Sequence, residues 1–123
     1  MEGIVLFPPD NTQTEKAVAN RIISNTVLSS GLDGIAILGD NNVVQGNTVD
    51  QSVQFGIWIQ TLGIISEDNI VKGNSATNSG KNGIKIADKA VDTVVIGNTL
   101  AGNNFTSSPI GGNGTVVAGN IFD

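Results

Sequence analysis

The sequence predicts an all-β fold in which the chain winds into stacked coils of short parallel strands, a parallel β-helix. Three observations predict it. The stretch Asn42-Val43-Val44-Gln45-Gly46-Asn47-Thr48-Val49 returns in altered form at residues 21–27, 69–76, 93–100 and 115–122. Its marker asparagines, Asn25, Asn47, Asn74, Asn98 and Asn120, stand 22, 27, 24 and 22 residues apart, a period typical of stacked repeats. Composition agrees: one Trp, four Phe and no Tyr cannot furnish an aromatic globular core. Val, Ile and Leu supply strands, and Gly and Asn supply turns.

Taken in order, the chain opens with Gly3-Ile4-Val5-Leu6, a partial copy of a strand that recurs later. The next aliphatic strand begins only at Ile22, and the insertion between contains Thr12-Gln13-Thr14-Glu15, a capping-box pattern leading into Lys16-Ala17-Val18-Ala19. That pattern predicts a short helix, placed to cover the open top of the stack. Around each marker asparagine the chain forms two short strands. Alternation turns Val44, Val71, Val95 and Val117 inward before it, and Val49, Ala76, Leu100 and Phe122 inward after it.

Nine residues beyond the markers stand Gly34, Gly56, Gly83 and Ser107. The first three open strands of the form Gly-Ile-x-Ile, and Ser107-Ser108-Pro109-Ile110 is a degenerate fourth. Their isoleucines point inward. The outward ladder is then Ala36, Trp58, Lys85 and Pro109, followed two residues on by Leu38, Gln60, Ala87 and Gly111. About five coils of three strands each are expected, and none can bury its apolar face without its neighbours. Coil length varies in the turn after the Gly-Ile strand, so insertions gather on one edge.

The motif of two aliphatics, any residue, Gly-Asn-Thr and an aliphatic, followed by Gly-Ile-x-aliphatic, covers Gly3 to Phe122. It resembles the right-handed parallel β-helix repeat of the pectin- and pectate-lyase superfamily. The resemblance implies a right-handed coil of three sheets, with the Gly-Ile strands as the first, the strands before the marker Asn as the second and those after it as the third. It also implies that the marker asparagines stack as a ladder in the tight turn. Physically, a buried amide can donate to and accept from neighbouring coils where the bend is too sharp for sheet pairing.

The net charge of −5, pI near 4.3 and six basic residues argue against nucleic acid. The chain has no Cys, no His and one Met, so disulfides, imidazole sites and soft-metal sites are not expected, and neither is a cofactor. It has neither a run of about twenty apolar residues nor a signal-peptide pattern at its start. Both ends fall in mid-coil, which leads us to expect a fragment of a longer β-helix or a subunit closed by another chain.

The candidate chemistry centres on Trp58, the one tryptophan, on the outward ladder. An indole on a flat sheet is a platform for a sugar ring, with Gln60, Lys85 and Asn82 placed to bond its hydroxyls. The resemblance likewise places polysaccharide on this sheet, beside the variable turns. The alternative is that the inserted turn 61–68 folds back over Trp58. A lyase or epimerase of the superfamily needs a base beside groups that neutralise a uronate, and Lys85 with Asp33 are the candidates. This chain departs from that pattern in having no Asp on the outward ladder and a single arginine, Arg21. Seven of the eleven acidic residues crowd the variable edge; among them Glu67, Asp68 and Asp88 are the candidates for Ca²⁺, and a solvated edge is the simpler reading.

Finally, Ile22, Val43, Ile70, Val94 and Val116 flank the inward valines and form an outward aliphatic stripe. Such a stripe marks an interface, so a homo-oligomer is expected, with the side-by-side trimers of other β-helix proteins as precedent. The functional expectation is a polysaccharide-binding segment of an extracellular, virion or cell-surface protein. A ligand-free oligomerisation stalk and an incomplete lyase or hydrolase are the alternatives.

Overall fold

The computed structural model describes residues 1–7, 17–61, 65–104 and 115–122. Three parallel sheets run along one stack. The first contains Ile4–Leu6, Ile35–Ile37, Ile57–Ile59 and Ile84–Ile86. The second contains Arg21–Ile23, Val43–Gln45, Ile70–Lys72, Val94–Ile96 and Val116–Ala118, and the third Thr26–Leu28, Thr48–Asp50, Ser75–Thr77, Thr99–Ala101 and Ile121–Phe122. Neighbours in space are one coil apart in sequence, and equivalent residues pair without slippage, as in Ile35↔Ile57↔Ile84 and Val44↔Val71↔Val95. This is the right-handed parallel β-helix that the repeat implies, with about four coils rather than five. The fourth Gly-Ile-type strand, expected at 107–110, lies outside the described residues.

Alternation accounts for the core. Ile35, Ile37, Ile57, Ile59, Ile84 and Ile86 are fully buried, as are Val44, Val71, Val49 and Ala76, with Val95 and Leu100 nearly so. Each buried aliphatic stabilises the stack by about 1.5–3 kcal/mol relative to exposure. In the last described coil the equivalent Val117 and Phe122 are 44% and 47% exposed, because no described strand pairs beyond them. Ile22 also faces inward: it pairs with Val44, which places Arg21 rather than Ile22 in the outward row with Val43. The expected stripe was therefore one residue out of register in the first coil.

Among the described residues there is no helix. Where the capping-box segment was expected to be helical, Ala17–Val18 is a strand paired in parallel with Gly39–Asp40; residues 8–16 lie outside the described residues. Gly39 makes this pairing possible, since a Cβ there would collide with the Ala17 carbonyl. That carbonyl also accepts from Asn42 Nδ2 at 2.9 Å. Tertiary hydrogen bonds outweigh a weak local helix preference.

The asparagine ladder is present. Asn74 Oδ1 accepts from the backbone N–H and the Nδ2 of Asn47, at 2.9 and 3.0 Å, while its own Nδ2 donates to the Val44 carbonyl and to Asn98 Oδ1. A second ladder, Asn20-Asn42-Asn69, repeats this geometry five residues upstream. At the third corner Ser30, Ser52 and Ser79 precede Asn103, which accepts from Ser79 N–H and donates to the Ala76 carbonyl. Among the described residues each corner turns through a left-handed residue with φ between +51° and +65°, and eight of these are not glycine. The ladder bonds offset that cost, about 1–2 kcal/mol per residue.

Candidate functional site

The outer face of the first sheet is built by alternation and by strict register. Trp58 stands between Ala36 and Lys85 on adjacent strands. Ala36 is fully buried and Leu38 nearly so, although both were expected to face solvent. Trp58 and Lys85 are half-buried. The Trp58 ring packs on Phe55, with centroids 5.0 Å apart and planes at 52°. Lys81 Nζ lies 5.4 Å from the Phe55 ring centre, within cation–π range. The result is an aromatic pair flanked by two lysines.

Phe55 and Lys81 were not singled out from the sequence. The signal existed, because they stand one residue before Gly56 and two before Gly83 in the same repeating frame. It went unread because alternation was applied to the strand and not to the turn entering it.

The other expected ligand residues sit deeper. Gln60 is 2% exposed and Asn82 is buried, so neither stands on the surface as a freely solvated group. The Gln60 carbonyl accepts from Ser66 Oγ at 2.6 Å. Gln60 Oε1 and Trp58 Nε1 are both buried without a hydrogen-bond partner. Trp58 lies in the Ile57–Ile59 strand and Gln60 follows it, and both atoms are shut off from solvent. Residues 62–64 of the inserted turn, the alternative cover for Trp58, lie outside the described residues, while Ile65 is exposed.

Asp33 is 3% exposed and its Oδ1 accepts from Phe55 N–H at 3.1 Å. Burial raises its pKa above the ordinary carboxylate value; the Phe55 hydrogen bond lowers it, nearby Glu2 raises it, and Lys81 lowers it. Asp33 lies two coils from the rung of Lys85, so these catalytic candidates are not brought together as an acid–base pair. Its role is to hold the backbone that carries Phe55.

At the variable edge Asp40 Oδ1 accepts from Glu67 N–H at 2.8 Å, and Glu67 bridges to Val91. Among the described residues no three of His, Cys, Asp and Glu gather where a metal ion would sit. Glu67, Asp68 and Asp88 thus do not form the calcium site considered from the sequence.

A family model described as "NosD: Periplasmic copper-binding protein (NosD)" matches residues 3–123. No curated protein and no solved structure matches the chain.

Proposed function

The chain belongs to the NosD family, and we propose that it is a polysaccharide-recognition module acting outside the cytoplasm through the outer face of its first sheet. The observation that carries this reading is the half-buried Trp58 ring packed on Phe55, with Lys85 on the next rung and Lys81 over the Phe55 ring. Sugars carry hydroxyls around a ring whose C–H faces pack on aromatic surfaces, here Trp58 and Phe55. Lys81 and Lys85 add hydrogen-bond donors at the margin.

The family's description names copper. Copper sites draw on imidazole, thiolate and thioether ligands. This chain has no His and no Cys, and its one Met is Met1. The carboxylates do not converge among the described residues. The residues present do not fit copper, and no step is assigned to it. The periplasmic location in the family description accords with a module that meets polysaccharide beyond the inner membrane.

The test is a titration with neutral and acidic oligosaccharides, followed by Trp58 fluorescence and, for variants, by retention on immobilised polysaccharide. A saturable emission shift is expected, and Trp58→Ala should weaken retention about tenfold, the loss of one aromatic contact. An emission that no sugar moves, together with unchanged retention of Trp58→Ala, would leave a ligand-free scaffold as the better account.

A further inference from the structure

The outer face of the second sheet points to a partner of a different kind. Its outward row Val43, Ile70, Val94 is half-buried and aliphatic, continued by Val116, which is 53% exposed. The flanking outward row is Ile23, Gln45, Lys72 and Ile96. Neither row contains a carboxylate, although the chain has eleven and a net charge of −5. An apolar, acid-free strip on an acidic protein is a candidate interface.

The corner on its other side holds exposed left-handed residues, Ala19, Asn41, Asp68 and Asp92, each four residues before the matching member of the flanking row. Within a coil, Ala19 thus belongs with Ile23, Asn41 with Gln45 and Asp68 with Lys72. These are apolar with apolar, amide with amide, and acid with base. Asp68 is exposed and Lys72 half-buried.

We propose that a second copy of this chain docks here, about a two-fold axis that runs parallel to the stack and over the Val43-Ile70-Val94 row. That axis places each aliphatic opposite its own counterpart, and brings the corner of one copy against the flanking row of the other. Asp68 then meets the partner's Lys72 twice over. Coil spacing matches automatically, because both copies repeat at about 4.8 Å. An axis along the strands reverses one stack and sets corner against corner, acid facing acid. Charge complementarity therefore selects the parallel arrangement. Asp92 opposite Ile96 and Arg21 opposite itself are the mismatched places, and both are exposed side chains able to turn to solvent. The proposal is independent of the sugar reading, which uses the first sheet.

A face of five three-residue strands is small, below about 1,200 Å² in total, so a concentration-dependent dimer is expected. Sedimentation equilibrium of the full chain, from low micromolar to the solubility limit, tests it. Lys72→Glu and Asp68→Lys should each weaken the dimer about tenfold, since two pairs become repulsive at once. The double variant Asp68→Lys/Lys72→Glu should recover wild-type affinity, and Ile70→Lys should leave a monomer with an unchanged circular-dichroism spectrum. A monomer at every concentration, a trimer, or a dimer indifferent to Lys72→Glu and not rescued by the swap would overturn it.

Discussion

Replacing Asn74 by Leu removes the centre of the marker ladder, and the structure sets the size of the effect. The side chain makes four bonds of 2.9–3.0 Å: it accepts twice from Asn47 and donates to Val44 and to Asn98. A leucine of similar bulk satisfies none of them. Asn47 N–H, one proton of Asn47 Nδ2 and the Val44 carbonyl lose a partner, and Asn98 Oδ1 keeps only the backbone N–H of residue 74. At about 1 kcal/mol net per bond, the loss is about 4 kcal/mol, with buried unsatisfied groups pushing it higher. The loss is larger than that of a single hydrogen bond because each rung bonds to the backbone as well as to its neighbours. For a chain of 123 residues this corresponds to a fall in Tm of about 15 °C. Thermal melting by circular dichroism measures it, with Asn25→Leu as the control. Asn25 is exposed at the ladder's described end and its Nδ2 donates at 3.2 Å to the Ile23 carbonyl and to Asn47 Oδ1, so its loss should cost about 1 kcal/mol. Equal melting temperatures for the two variants would refute the bonding scheme.

Two further predictions concern stability. Ser79 Oγ is buried and unpartnered, and Gly56 stands beside Ser79 as Gly83 stands beside Asn103. Ser79→Asn should therefore extend the third-corner ladder to Ser52 N–H and the Val49 carbonyl and raise Tm by about 4–8 °C, read by calorimetry; a fall would show that the corner has no room. Asp33 has a raised pKa from burial, so its contribution is fully present below pH 3.8 and declines as pH rises through the folded-state value. Asp33→Asn keeps the acceptor for Phe55 N–H without the charge, and its Tm should exceed wild type at pH 7 and converge with it at pH 3. Asp50, held below the usual range by Thr77 Oγ1 and Asn78, slopes the opposite way, its stabilisation being lost as pH falls. It is present in both proteins and cancels in the comparison.

The solenoid was legible because its signal is repeated. Equivalent residues such as Ile35, Ile57 and Ile84 recur in one frame, and a strand period of two leaves little choice about which side is buried. The marker ladder was legible for the same reason. The upstream ladder was not, although Asn42 and Asn69 open their repeats, because Thr93 interrupts the pattern one coil later. The candidate site was half legible. Trp58 and Lys85 were placed correctly on adjacent rungs, whereas Gln60 and Asn82 proved buried and Phe55 and Lys81 came from the entering turn.

By itself the sequence determined the coil, its three sheets and its aliphatic interior, since these follow from alternation and from a side-chain pattern renewed every turn. Tertiary structure alone decided that Ala17–Val18 pairs as a strand, that Arg21 rather than Ile22 faces out, and that Asp33 lies two coils from Lys85. Those outcomes depend on which backbone groups meet across coils of unequal length. That information belongs to pairs of distant residues and is carried by no local stretch of the chain.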